Sequence, residues 1–259
     1  MQIFGSENAD IISGTSNSDE IYGLGGNDRI YLSDDAFNVG NDVVYAGDGD
    51  DTIYVIGSGH LIYGGEGSDT LDFSYFPAFY GGVYVDLLPQ AYSFGQLQTD
   101  TNITAFGIEN FVGTSSSDRF YGDANDNTVT AGAGDDTIFG RQGNDWLVGG
   151  DGDDLIAGGA GLDTIFGGAG RDQFEFFSSN SGYYQGSERD YIVDFELNID
   201  KIAIDFDLAN NYDDLLTNAS IYQDETSTVI EFNNGTEILI LNHFDVNNVN
   251  RDMFLFYQI

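Results

Sequence analysis

An apolar residue recurs every nine positions through most of this chain, with polar and glycine-rich residues between. It stands at Ile12, Ile21 and Ile30, and again at Ile138, Leu147, Ile156, Ile165 and Phe174. An acidic residue precedes each by two places: Asp10, Asp19 and Asp28, then Asp136, Asp145, Asp154, Asp163 and Asp172. In the later set a glycine precedes each Asp by two places, at Gly134, Gly143, Gly152, Gly161 and Gly170. Side chains alternate along a strand, so a three-residue strand buries only its middle residue. Each nine-residue unit therefore reads as six turn residues and three strand residues. Two units make one coil of eighteen, with a strand on each face and a turn on each edge. Turns on one edge recur every eighteen residues. Asp118, Asp136, Asp154 and Asp172 are expected on one edge; Glu109, Asn127, Asp145 and Asp163 on the other.

The pattern divides the chain into four segments. In residues 1–72 the unit GLGGNDRIY is rich in glycine, while the first two units carry Ser, Thr and Asn in their turns. The spacing from Asp28 to Asp42 holds five extra residues, and LSDDA reads as a bulged loop. Register then continues through Asp51, His60 and Asp69, with His60 in the acidic slot. Residues 73–103 break the period and contain Pro77 and Pro89, which a ladder interior excludes. They read as an insertion against the repeats, with a strand at VYVDL, residues 83–87. The period resumes over residues 104–175, where Glu109, Asp118 and Asn127 fill the slot first. Residues 176–259 lose the glycine spacing. There the alternation predicts strands at 191–195, 201–206, 228–232 and 237–241, a short helix over 208–216, and a hairpin at Asn233-Asn234-Gly235.

Composition narrows the chemistry. The 259 residues hold 44 acidic and 7 basic side chains, for a net charge of −37. A phosphate-backbone binder needs clustered Lys and Arg, so nucleic acid is excluded as a partner. The same charge opposes an anionic membrane surface, and no apolar run is long enough to span a bilayer. With 20 Phe and 16 Tyr the chain is not simply disordered, so cations are the expected counter-charge. With no Cys, neither a disulfide nor a thiolate metal site is possible. The start, MQIFGSENADIISG, lacks a basic and an apolar leader region.

From Ala131 to Glu175 the units AGAGDDTIF, GRQGNDWLV, GGDGDDLIA, GGAGLDTIF and GGAGRDQFE run without a gap. They resemble the GGxGxDxUx units of repeats-in-toxin (RTX) proteins, which form a calcium-binding parallel β-roll. The resemblance implies an all-β chain: a parallel β-roll in two blocks with a C-terminal β-rich cap. It implies several Ca²⁺ ions, held by hard oxygen ligands. The slot residues become metal ligands: Asp10, Asp19, Asp28, Asp42, Asp51, Asp69, Asp118, Asp136, Asp145, Asp154, Asp163 and Asp172, with Asn127 a further candidate. In that family the first and third turn carbonyls serve one ion and the second and fourth the next. Carried over, this assigns Gly132, Gly134, Gly143, Gly149, Gly150, Asp151, Gly152, Gly158, Gly159, Gly161, Gly167, Gly168 and Gly170. Asp190 and Asp194, with Asp200, are candidates for a last site.

The tail resembles the cap that follows the roll in serralysin-type secreted proteins. The matching strings are GGAGRDQFEF, RDYIVDFELNIDKIAID and Asp252-Met253-Phe254-Leu255-Phe256. This implies export by type I secretion machinery, reading the extreme C-terminus, and folding on calcium outside the cell. Neither an H-E-x-x-H nor a G-x-S-x-G motif is present, so no catalytic residue is assigned. The expected function is a secreted, calcium-binding, non-enzymatic protein with a structural or surface role. Met1 directly before the first repeat favours a complete short protein. Two alternatives stay open: the folding and secretion module of a larger enzyme, such as a protease, lipase or alginate epimerase, and a calcium-dependent module that binds extracellular polysaccharide. Tyr22, Tyr31, Tyr45, Tyr54 and Tyr63 share the ninth slot and should point outward, either as a sugar platform or as cross-strand ladders. His60 is either a second-metal ligand or a drifted slot.

Overall fold

The computed structural model describes residues 1–32, 40–57, 59–76, 81–87, 103–176, 189–205, 209–224, 227–232, 238–241 and 244–257. The LSDDA loop beyond Leu32, both prolines and the Asn233-Asn234-Gly235 turn lie outside these. The chain forms two compact units, Met1–Arg119 and Phe120–Ile259.

In the first unit one parallel sheet joins Gln2–Phe4, Glu20–Gly25, Val43–Asp48, Leu61–Glu66 and Thr104–Phe106 in that order. A second joins Ile11–Ser13, Arg29–Tyr31, Thr52–Tyr54, Thr70–Asp72 and Asn110–Val112. Register follows the apolar slot, with Ile12 opposite Ile30, then Ile53, Leu71 and Phe111. The five extra residues after Leu32 leave it unchanged, since Ile21 still pairs with Val44. The insertion is bypassed as well: Ile62 pairs with Ala105. Its described ends lie on the roll, with Phe73, Phe76 and Val83 buried and Phe73 against Phe111.

The second unit repeats the plan. Thr128–Ala133, Trp146–Asp151, Thr164–Ala169, Asp190–Ile192 and Ile238–Leu241 are parallel neighbours. Two antiparallel strands, Ser227–Phe232 and Ala219–Asp224, extend that sheet. The opposite sheet runs through Thr137–Gln142, Leu155–Ala160, Gln173–Phe176, Lys201–Asp205 and Phe254–Tyr257. The tail thus prolongs both faces of the roll, and its antiparallel pair ends the parallel ladder. The predicted hairpin strands do pair antiparallel.

The slot residues form the core: Ile138, Leu147, Ile156, Ile165 and Phe174 are fully buried, as are Ile21, Ile30, Ile53 and Ile62. Two details differ from the nine-residue scheme. Many strands are six residues long, because the first turn residues keep pairing across coils, as Gly47 does with Gly65 and Asp48 with Glu66. The residue two places after the slot forms a second buried column, at Leu32, Ala46, Val55, Phe73 and Ala131. The short helix spans Tyr212–Asn218, with the Asn211 side chain capping it by accepting from the Asp214 amide. The strand expected at 191–195 is confined to Asp190–Ile192. The chain bends at Asp194, whose carboxylate accepts from the Gly167 and Gly168 amides at 2.9 and 3.0 Å.

Candidate metal centre

Each glycine-rich turn holds its second and fourth residues at positive φ. In the turn before Asp154 these are Gly150 at 125° and Gly152 at 146°. A β-carbon at Gly150 would fall 1.9 Å from the carbonyl oxygen of Gly132, so the site is closed sterically as well as conformationally. Leu24 and Arg141 take the second place in their turns and keep the same conformation, at 83° and 80°.

This backbone makes successive carbonyls alternate in direction. Those of the second and fourth places point to the following coil. Gly132 O and Gly134 O lie against Gly150 and Gly152, and Arg141 O and Gly143 O lie against Gly159 and Gly161. Those of the first and third places point back. Gly167 O lies 2.7 Å from where a Gly149 β-carbon would be. Asp151 O accepts from Gly134 N at 2.7 Å and Ala169 O from Gly152 N at 2.8 Å. Each gap between stacked turns therefore receives oxygens from both sides.

The slot side chains form a ladder through the same gaps. One oxygen of each carboxylate accepts the backbone N–H of the slot residue one coil earlier. In the second unit Asp136 donates to Asp154, Asp154 to Asp172 and Asp172 to Asp200, at 2.8, 3.0 and 3.0 Å. The other edge runs from Asn127 to Asp145, Asp163 and Asp190, at 2.8, 2.8 and 3.2 Å. In the first unit Asp10, Asp28, Asp51, Asp69 and Glu109 form one series, and Asp19, Asp42 and His60 another. Asp200, unlike Asp194, is thus a true rung.

The second oxygen distinguishes the site. At Asp28, Asp51, Asp69, Asp145, Asp154, Asp163 and Asp172, Oδ2 is buried without a hydrogen-bond donor. Leaving a carboxylate oxygen in this state is costly unless a cation satisfies it. These oxygens face the first glycine of their own turn: a β-carbon at Gly149, Gly158 or Gly167 would sit 2.2–2.3 Å from the Oδ2 of Asp154, Asp163 or Asp172. The glycine keeps that space clear. Burial, reinforced by neighbouring carboxylates, pushes Asp145 up to about 8 and Asp69 and Asp172 up to about 7. Asp154 and Asp163 rise to about 6, again mainly through burial. Among the described residues no three His, Cys, Asp or Glu side chains converge on one point. A cation here must be held by backbone carbonyls and single carboxylates, a hard-oxygen set suited to Ca²⁺.

His60 occupies its slot as a ladder rung. Its Nδ1 accepts from the Asp42 amide at 3.3 Å, and its Nε2 lies 3.1 Å from Ile56 O. A further ladder escaped the sequence reading. Fifth-place side chains accept the fifth-place amide of the next coil, Asp135 from Asp153 and Asp126 from Asn144, at 2.9 and 2.6 Å. The recurrence of Asp or Asn just before the slot was its signal. Tyr22, Tyr45 and Tyr63 do point outward, continuing with Phe4 and Phe106 into one stack with ring centroids 5.0–5.3 Å apart. Within the stack their faces cover one another.

The fold and the turn chemistry define a parallel β-roll whose coils are stacked on oxygen-lined gaps. The RTX calcium-binding nonapeptide repeat family matches residues 4–36, 38–55, 61–74, 112–147 and 139–174. The repeats of this chain belong to that family, and they make it a calcium-binding β-roll protein with several Ca²⁺ sites. Among solved structures the chain is similar to the extracellular lipase LipA from Serratia marcescens, at 19% identity and a TM-score of 0.42. The similarity covers 98% of this chain and 40% of the lipase chain, so this chain spans less than half the lipase's length. It is also similar to the AlgE6R3 subunit of the Azotobacter vinelandii mannuronan C5-epimerase, at 25% identity and a TM-score of 0.33, over 54% of this chain and 77% of that one. No curated protein matches the chain in sequence.

Proposed function

We propose that this chain is a secreted, non-enzymatic protein that folds when it meets calcium outside the cell and then serves a structural or surface role. The observation that carries this reading is the row of buried, donor-less Oδ2 oxygens in a chain of net charge −37. Without cations, charged rungs one coil apart repel, and a thin apolar column cannot offset the ordering entropy of the turns. With calcium the same rungs hold the coils together, so binding and folding are one event.

The ligands in this reading are the carboxylates of Asp28, Asp51, Asp69, Asp145, Asp154, Asp163 and Asp172, with Asp42 and Asp136. Carbonyls of Gly132, Gly134, Gly143, Gly149, Gly150, Asp151, Gly152, Gly158, Gly159, Gly161, Gly167, Gly168 and Gly170 complete the cages. Asp190 lies at the end of one ladder. Asp194 serves the Gly167 and Gly168 amides instead. Low cytosolic calcium keeps the chain unfolded for type I export, and external calcium folds it. The stacked tyrosines favour a structural role over polysaccharide binding, since sugar rings stack on exposed aromatic faces. The test is export through a type I transporter of the intact chain and of a chain lacking residues 252–256. The intact chain should reach the medium and the shortened chain should stay inside. Equal export of both, or of neither, would refute the secretion reading.

A further inference from the structure

Most of the slot carboxylates fall into two groups by what their second oxygen meets. In one group a residue four places earlier, at the second place of the turn, supplies a backbone N–H. Ser6 N donates to Asp10 Oδ2 at 2.6 Å and Thr15 N to Asp19 Oδ2 at 2.6 Å. Thr114 N donates to Asp118 Oδ2 at 2.6 Å and Glu196 N to Asp200 Oδ2 at 2.7 Å. In the Asn127 turn, Asp123 N donates to the amide oxygen at 3.1 Å. Where that residue is Ser or Thr its hydroxyl adds a second bond: Ser6 Oγ to Asp10 at 2.8 Å, Thr15 Oγ1 to Asp19 at 2.7 Å and Thr114 Oγ1 to Asp118 at 3.0 Å. The other Asp19 oxygen, Oδ1, is buried without a hydrogen bond and lies 3.0 Å from the Met1 amine.

In the other group the second place is at positive φ: Leu24, Gly47, Gly65, Gly132, Arg141, Gly150, Gly159 and Gly168. Seven of their slot partners, four residues on, have an Oδ2 buried without a donor. None of Ser6, Thr15, Thr114, Asp123 and Glu196 has positive φ. The conformation of one residue thus decides whether a turn closes on its own amide or leaves an oxygen for a cation. Leu24 and Arg141 show that conformation, rather than glycine itself, makes the choice.

We propose that the turns ending at Asp10, Asp19, Asp118, Asn127 and Asp200 bind no calcium, because their own backbone amides close them, and that the open turns hold the ions. In the first unit Asp10 and Asp19 stand at the start of the two ladders. In the second unit Asn127 begins one ladder and Asp200 ends the other. A ladder end has only one neighbouring coil to donate oxygens, so a cage there would be incomplete. There the amide of the second-place residue, joined by a hydroxyl where that residue is Ser or Thr, takes the place of a cation at the second oxygen.

This partition rests on the calcium reading above, and one experiment separates the two. Bound calcium is counted by equilibrium dialysis on the full chain, on D10N and D19N, and on D154N and D163N. D10N and D19N should bind as many ions as the parent, while D154N and D163N should each lose at least one. If the open-turn variants fail to fold, the count on D10N and D19N still decides. Loss of an ion from either of these, with the parent binding normally, overturns the partition alone. A parent that binds no calcium overturns the calcium reading itself.

Discussion

Removing calcium should make the second unit unfold near neutral pH and recover on mild acidification. The perturbation is a pH series on chelated protein. A carboxyl with a higher pKa folded than unfolded holds its proton more tightly in the folded chain. Its contribution is therefore fully present below the ordinary pKa of 3.8 and is lost as pH rises through the folded value. For Asp145, Asp172, Asp154 and Asp163 those values are about 8, 7, 6 and 6, with burial the main cause in each. At about pH 7.5 the linkage relation makes each of the four cost about 3–5 kcal/mol relative to the unfolded chain. Allowing for screening at the turn rims, the total is on the order of 10 kcal/mol. That equals the whole stability of an ordinary domain, about 5–15 kcal/mol. At about pH 5 the same relation removes more than half of the penalty. Far-ultraviolet circular dichroism of chelated protein should show little strand signal at about pH 7.5 and a growing one toward pH 5. A strand signal that is flat across this range, or that falls on acidification, would refute the linkage. With calcium present the dependence reverses: binding needs ionised carboxylates, so the calcium midpoint should fall as pH rises.

Further outcomes follow from single positions. Gly149→Ala places a methyl 2.2 Å from Asp154 Oδ2, so a calcium titration followed by dichroism should need about tenfold more calcium, roughly 1.4 kcal/mol, for half-folding. Leu24→Gly relieves a φ of 83° and should raise the calcium-loaded stability by about 1 kcal/mol, read from thermal unfolding. Ile156→Ala opens a cavity in the fully buried column and should cost about 2–5 kcal/mol in denaturant unfolding with saturating calcium. Truncation before Phe254 removes a buried edge-strand residue paired with Ile202 and should lower the thermal midpoint of the loaded protein.

Much of the roll was legible because its period is rigid. One buried residue per nine and one acidic residue two places earlier are enough to set strand, turn and coil. What escaped detection depends on backbone conformation. The sequence places Asp in the slot at Asp10 and at Asp154 alike and shows Ser6 where the later turn has Gly150, but that the Ser6 amide closes on the Asp10 carboxylate appears only in the backbone. The five extra residues after Leu32 and the insertion after Phe73 disturb the period in sequence but not in space, since Ile21 pairs with Val44 and Ile62 with Ala105. Asp194 and Asp200 looked equivalent in the tail string. Their roles diverge because the chain bends at Asp194, which brings it onto two amides, while Asp200 enters the ladder. Periodicity put the tyrosines on the outside, but whether they offered faces or edges depended on the coil spacing that stacks Tyr22 on Tyr45.

The most direct test is a calcium titration of the metal-stripped full chain at about pH 7.5, with dichroism and heat recorded together. The expected result is a cooperative gain of strand signal from a largely unfolded chain, coincident with the uptake of several ions per chain. Strand content that is already complete without calcium, or calcium uptake with no change in strand content, would contradict a roll folded by its cations.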